Sequence, residues 1–273
     1  MPLPEAIIAL HARRSAESIA QYRLARPQGG LIVALTGTDV YRDIHDDPSA
    51  QQSLASADRL VVLQPKAIEE LPFAFRAKCD VVFQSAPSLT PGSRYQRAFD
   101  IVQVGHLRHE KDPFTPITAL RLLPADSRIR LVHIGTALDQ HHADTMTLVS
   151  REEQRLKWLG GLTHGETRQR IKRAHLLVIA SRMEGGANVI VEAVTAGVPV
   201  IASNISGNIG MLGDDYPGYF AFGDAAACAA LMQRAETDER FYKRLTSACA
   251  RRARLFAPER EAAAIRDVVS HVL

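Results

Sequence analysis

Cysteine is scarce in this chain. Cys79, Cys228 and Cys249 are the only three in 273 residues, and they form no CxxC pair. An odd, scattered set supports neither a disulfide framework nor a thiolate zinc site, and it fits reduced thiols in a cytoplasmic protein. Long apolar runs are also missing: none approaches the roughly 20 residues of a membrane-spanning helix. The start, Met1-Pro2-Leu3-Pro4-Glu5, lacks the basic-then-apolar pattern of a signal peptide. Charge of one sign is not in great excess, with 33 Lys and Arg against 30 Asp and Glu, a formal net charge of +3. The basic residues form no dense tract interleaved with aromatics, which argues against a nucleic-acid binder. No DxD pair occurs. There are no internal repeats and no low-complexity segments.

What is present is a globular composition, 46% hydrophobic and 23% charged, in a chain long enough for two domains of ordinary size. Short runs rich in Val, Ile and Leu predict buried strands at 6–10, 31–35, 60–63, 81–83, 101–104, 131–134, 176–180, 198–202 and 219–222. Amphipathic segments such as 167–174 and 188–196 lie between them. This alternation predicts an α/β fold of parallel sheets with helices on both faces. Pro87, Pro91 and Gly92 interrupt the pattern. They suggest a boundary near Arg97, with domains at 1–97 and 98–257. Helices are predicted at 225–234, 239–254 and 259–272. The last follows Pro258 and forms a separate element, 258–273, able to pack back on the first domain.

In doubly wound sheets the ligand lies beyond the carboxyl ends of the strands, so the turns there carry the functional information. The richest follows the strand 176–180: Ser181-Arg182-Met183-Glu184-Gly185-Gly186-Ala187-Asn188-Val189-Ile190-Val191-Glu192. Gly185 and Gly186 permit close backbone approach to a ligand. Asn188 is a good N-cap for the helix that follows, whose first amides suit a diphosphate. Glu192, one turn in, can accept hydrogen bonds from a ribose diol, and Glu184 can reach sugar hydroxyls. A solvated strand-to-helix turn is the plainer alternative.

A second turn, Gly105-His106-Leu107-Arg108-His109-Glu110-Lys111, gathers cations suited to a diphosphate. A third group lies in the first domain. His11, Arg13 and Arg14 follow the first strand, and Thr38, Asp39 and Arg42 follow the second. Guanidinium forks match a small anion such as a phosphate, although arginines covering helix starts would read alike.

The stretch Glu184 to Ser203 resembles the donor-binding signature of GT-B-fold glycosyltransferases of family 4, whose Glu-x7-Glu pattern falls on Glu184 and Glu192. The resemblance implies that Glu192 binds the nucleotide ribose and that Glu184 contacts the donor hexose. It also implies that the backbone of Gly185, Gly186, Ala187 and Asn188 contacts sugar and phosphate. The basic turn is similar to the family's Gly-Arg-Leu-x-x-x-Lys segment. This places Gly105, Arg108 and Lys111 at the donor phosphates, with His106 where an arginine is usual. The turn around Gly160 would cradle the base. By the same resemblance His11 lies near the donor sugar, and catalysis falls to His11, Lys111 and Glu184. No metal and no cofactor is expected, the UDP-sugar being a substrate.

A narrower resemblance covers nearly the whole chain. Residues 9–15, 35–43, 105–108, 206–213 and 215–220 are similar to the selenosugar synthases of selenoneine biosynthesis. That implies transfer of a sugar from UDP-GlcNAc or UDP-glucose to selenophosphate, giving a 1-selenosugar with release of UDP and phosphate. Arg13, Arg14, Thr38, Asp39 and Arg42 would then receive the acceptor. Two other readings stand beside it: a family 4 type transferase acting on a sugar or lipid hydroxyl, and a non-catalytic UDP-sugar-binding protein. The fold implied is GT-B, two Rossmann-like doubly wound domains facing a cleft. The N-terminal one is expected to be incomplete, because the chain opens almost directly at the His11 turn, and an ordinary domain is expected to carry about 50 or 60 residues more.

Overall fold

The computed structural model describes residues 4–273. They form two compact units. One comprises the residues up to Ser85 together with Met183–Ala187 and Leu255–Leu273; the other comprises Ala86–Arg182 and Asn188–Arg254. Each unit has its own parallel sheet.

The first unit holds β1 (Ala6–Leu10), β2 (Gly30–Leu35), β3 (Arg59–Val62) and β4 (Cys79–Val81), in the order β1-β2-β3-β4. Period-two alternation sorts the strand side chains to opposite faces. Leu31, Val33, Leu35, Leu60 and Val62 pack with Ile19 and Leu54 of the helices Ala16–Ala25 and Pro48–Ser56. Ile32, Ala34 and Val61 pack with Val268 of the helix Pro258–Ser270. Because both faces are covered, β2 is apolar along its whole length. The last helix is also tied to the end of the sheet, where the Ser85 amide donates to Glu261 at 2.9 Å. In the helix Pro48–Ser56 the Asp47 carboxylate accepts from the Ser49 and Ala50 amides, with Pro48 at the first helical position. β1 is an edge strand, and it carries exposed Ile8 and Leu10.

β4 starts before the apolar run 81–83 and includes a charged residue. Asp80 lies opposite Val61 in the ladder, and its carboxylate accepts from Arg59 Nε of β3, two residues along, at 2.9 Å.

The second unit holds β5 (Phe99–Val104), β6 (Ile129–Ile134), β7 (Leu156–Trp158), β8 (Leu176–Ile179), β9 (Val200–Ser203) and β10 (Tyr219–Phe220). Their order is β10-β9-β8-β5-β6-β7. The short β7 is not evident in the sequence pattern, since only Leu156 of its three residues is fully buried. The unit begins at Ala86 rather than near Arg97, because the proline-rich connector is bonded into it. The Leu89 amide donates to Thr195 O, the Gly92 amide to Lys172 O, and Arg94 to the Tyr242 hydroxyl. Among the described residues no helix is long and apolar enough to cross a membrane.

Candidate functional site

The strand order of the second sheet reverses between β5 and β8, which diverge toward β6 on one side and β9 on the other. Such a reversal leaves a crevice at the carboxyl ends of the two central strands, because their outgoing turns depart in opposite directions. The basic turn leaves β5 and the glycine-rich turn leaves β8. Two of the sequence motifs therefore meet at the topological switch point. They are also joined directly: the Arg182 amide donates to Glu110 O at 2.9 Å, and Arg182 lies 3.0 Å from His109 Nε2.

The basic turn is set by its neighbours. Gly135, at the end of β6, lies so close that a Cβ there would stand 1.9 Å from the Gly105 carbonyl oxygen. Only glycine fits. His133, buried on β6, bonds Gly105 O at 3.1 Å, and burial pushes its pKa down to about 4. It is therefore a neutral strut at physiological pH. The Gly135 amide bonds Gly160 O and Trp158 donates to Gly135 O, so the Gly160 turn is fixed to the same scaffold. Lys111 ends a short 3-10 helix, His109–Lys111, and its aliphatic stem lies 3.5 Å from where a Gly105 Cβ would be. The Nε of Arg108 is buried without a hydrogen-bond partner. His106 is exposed and bonds Thr136 at 2.8 Å.

In the glycine-rich turn, Met183–Ala187 belongs to the first unit and Asn188 onward to the second. Gly185 and Gly186 owe their lack of side chain to the protein itself. A Cβ on Gly185 would stand 2.4 Å from Thr36 O, and one on Gly186 2.4 Å from Leu63 Cβ. Glu184 is buried. Asn188 is not the cap expected of it. It is the first residue of the helix Asn188–Thr195, and its side-chain amide reaches forward to Glu192 Oε1 at 3.3 Å. Glu192 is buried, and His164 Nε2 meets the same oxygen at 2.6 Å. His164 was not singled out from sequence. Its spacing from Glu192 carries no local signal, because the two lie on different helices.

The first unit gathers a second cluster. His11 sits just past β1 at φ 74°, a left-handed conformation that costs a non-glycine residue about 1–2 kcal/mol. Its Nε2 lies 3.0 Å from Thr38 Oγ1, and its Nδ1 accepts weakly from the Arg14 amide at 3.4 Å. Asp39 and Asp43 lie at either end of a π-helical turn, a local irregularity common at functional sites. Asp39 is wholly buried and accepts from the amides of Ala12, Thr36 and Gly37. It therefore holds two turns together, and it is not on the surface that an acceptor would meet. Asp43, like His164, is a residue that the sequence pattern alone does not single out. Its Oδ2 accepts from Arg13 Nε at 3.0 Å and its Oδ1 from Arg42 Nε at 2.9 Å, with His11 Nε2 at 3.7 Å. Hydrogen bonds and charge from both arginines keep its carboxyl below the usual range, against the opposing effect of burial. Arg14 lies apart, in a groove of about 520 Å³ that it shares with Arg13, Ser49, Gln52 and Ser53.

The thiols take no part in this chemistry. All three are free, and burial raises the pKa of Cys79 to about 12 and of Cys249 to about 11. Among the described residues no group of three or more His, Cys, Asp or Glu converges to hold a metal.

Comparison with known proteins agrees with this architecture. The family model for glycosyl transferases group 1 matches residues 92–252, more than half of the chain. No curated protein matches. Among solved structures, HepE of Anabaena, in complex with UDP and glucose, superposes with a TM-score of 0.81 at 17% identity, covering 98% of this chain and 78% of that one. Sucrose-phosphate synthase of Thermosynechococcus elongatus gives a TM-score of 0.82 at 18% identity, covering 98% of this chain and 73% of that one. The lipopolysaccharide outer core galactosyltransferase WaaB gives 0.73 at 17%, covering 99% of this chain and 76% of that one. The parallel sheets, the switch-point motifs and the family match together carry one conclusion: the chain belongs to the group 1 glycosyl transferases and is a glycosyltransferase of GT-B fold.

Proposed function

We propose that this transferase moves a hexosyl group from a UDP-sugar, UDP-GlcNAc or UDP-glucose, to selenophosphate. The observation that carries the donor half is that, within the second unit, the turn bearing Lys111 is bonded to the turn leaving β8 through Arg182 and Glu110, at the strand-order reversal of the sheet. There the amides at the start of the helix Asn188–Thr195, with Lys111 and Arg108, would hold the diphosphate. Glu192 would take the ribose, Glu184 the hexose and the Gly160 turn the base. HepE holds UDP and glucose in its crystal structure, which is compatible with this assignment.

The acceptor half rests on the Asp43 cluster and on the resemblance to selenosugar synthases. Asp43 engages both arginines through Nε. That aims two guanidinium edges, each matched in shape to a tetrahedral oxyanion. Arg13 and Arg42 are the acceptor contacts, Thr38 and His11 border them, and Arg14 adds charge from the neighbouring groove.

In the chemical step selenium attacks C1 of the donor. The C1–O bond to the diphosphate breaks, and its electron pair leaves with UDP. Water then cleaves the Se–P bond, releasing phosphate and the 1-selenosugar. Lys111, Arg108 and the helix amides meet the charge that builds on the departing diphosphate, where fixed donors contribute most. Selenium is ionised at neutral pH, so no strong general base is required.

UDP release tests the reading. With UDP-GlcNAc or UDP-glucose, selenophosphate should raise release well above hydrolysis, while a panel of sugar and lipid hydroxyls should not. Release driven by a hydroxyl acceptor and not by selenophosphate would make this a family 4 type transferase of the ordinary kind.

A further inference from the structure

Glu192 is a buried carboxylate, and such a group needs partners to offset lost hydration. His164 and Asn188 both donate to one and the same oxygen of it. His164 Nε2 meets Oε1 at 2.6 Å, and Asn188 Nδ2 meets it at 3.3 Å. The two donors come from different helices, so they fix the rotation of the carboxylate about its stem. A carboxylate has about four acceptor positions, and this arrangement uses two at Oε1. The Oε2 edge is thereby set at one angle.

His164 is well placed to do this. It is the first residue of the helix His164–Arg173, and that helix start is rigid. Thr163 accepts from the Glu166 amide, and Glu166 accepts from the Thr163 amide at 3.0 Å, a complete capping box. The turn containing Gly160 runs directly into it. The imidazole is 72% exposed, yet it is held against a carboxylate that is 6% exposed. An exposed histidine with no task would be free to turn into water; this one makes a short bond to the buried acid. Because the carboxylate only accepts, the proton lies on Nε2 whatever the ring's charge.

We infer that His164 is a positioning residue for the nucleotide ribose: it sets the Glu192 carboxylate at the angle that receives the ribose diol, and it couples that carboxylate to the Gly160 turn. This rests on the reading of Glu192 as the ribose acceptor.

The test compares UDP with 2′,3′-dideoxy-UDP, which lacks the diol, by titration calorimetry on the whole chain. The parent should bind UDP more tightly. His164→Ala should lose about tenfold for UDP, the worth of one charge-assisted hydrogen bond, and less than about twofold for the dideoxy analogue. His164→Gln, whose amide reaches the position of Nε2, should restore most of the loss. In a Glu192→Ala background, removing His164 should cost nothing further. The exposed imidazole can be removed without disturbing the capping box, so these variants fold. Equal losses for both ligands, no loss, or tighter UDP binding in His164→Ala would overturn the inference while leaving Glu192 in place. A parent protein that binds both ligands alike would remove the ribose role of Glu192, and the role of His164 with it.

Discussion

The two units build their polar sites in opposite ways. In the second, strand order and backbone do most of the work. The sheet reverses between β5 and β8, Gly135 lets the Gly105 turn pass within contact, and a neutral histidine props that turn. In the first, the four strands run in simple order and charge does the work. Buried Asp39 and Asp43 gather His11, Arg13, Arg42 and three backbone amides. A site made by backbone should resist loss of a distant charge and fail when its phosphate-side cation is lost. A site made by ion pairs should fail when one carboxylate is neutralised.

The largest expected effect separates the units at the chemical step. Lys111→Ala should lower kcat for UDP release by about 10²–10³, the usual cost of removing one donor that meets developing charge. Turnover at the parent rate would show that the second unit does not hold the leaving group through this turn.

The next concerns pH and stability. His133 has a folded pKa of about 4 against an ordinary value near 6.5, because burial disfavours its charged form. In that window the unfolded chain binds a proton that the folded chain does not. Stability from this group is therefore full above about pH 6.5 and is lost as pH falls toward 4, by an amount on the order of 3 kcal/mol. His175, also lowered chiefly by burial, adds in the same direction. Asp43 behaves differently. Its folded pKa is depressed, so its contribution is present above the unfolded carboxylate value and is lost as pH falls through the lower folded value. Urea midpoints at pH 7, 5.5 and 4.5 should fall steadily in the parent and less in His133→Gln. A flat profile from pH 7 to 4.5 would deny that His133 is held neutral.

Much of this was legible in the sequence, and the pattern of what was not is physical. Strands buried on both faces, such as β2 and β8, announce themselves as unbroken apolar runs. The turn that follows β8 carries Glu184 and Glu192 in plain view, and Lys111 stands in the turn after β5. β7 escaped because a three-residue edge strand gives no period. Asn188 read as a cap, yet its amide serves Glu192, a choice that depends on where a side chain one turn away comes to rest. The glycines at 185 and 186 read as space for a ligand, whereas the space is taken by Thr36 and Leu63, more than a hundred residues earlier in the chain. Asp43 and His164 escaped for the same reason: each is defined by a partner remote in sequence.

Asp43 offers the most direct contrast between the units. Asparagine has the shape of aspartate, but it has one acceptor oxygen where two are needed, and its amide nitrogen would face a guanidinium. Asp43→Asn should therefore release Arg13 or Arg42 without enlarging the cavity around it. The acceptor KM should rise about tenfold, corresponding to about 1.4 kcal/mol of lost pre-organisation. The UDP-sugar KM should stay within about twofold, because the donor groups belong to a scaffold that does not use this carboxylate. Asp43→Ala, which frees both arginines and leaves a void, should cost more in stability than in selectivity for the acceptor. Steady-state kinetics with each substrate varied in turn decides the matter. A parallel rise in both constants would mean that the ion-pair cluster supports the fold and does not aim the arginines at an anion.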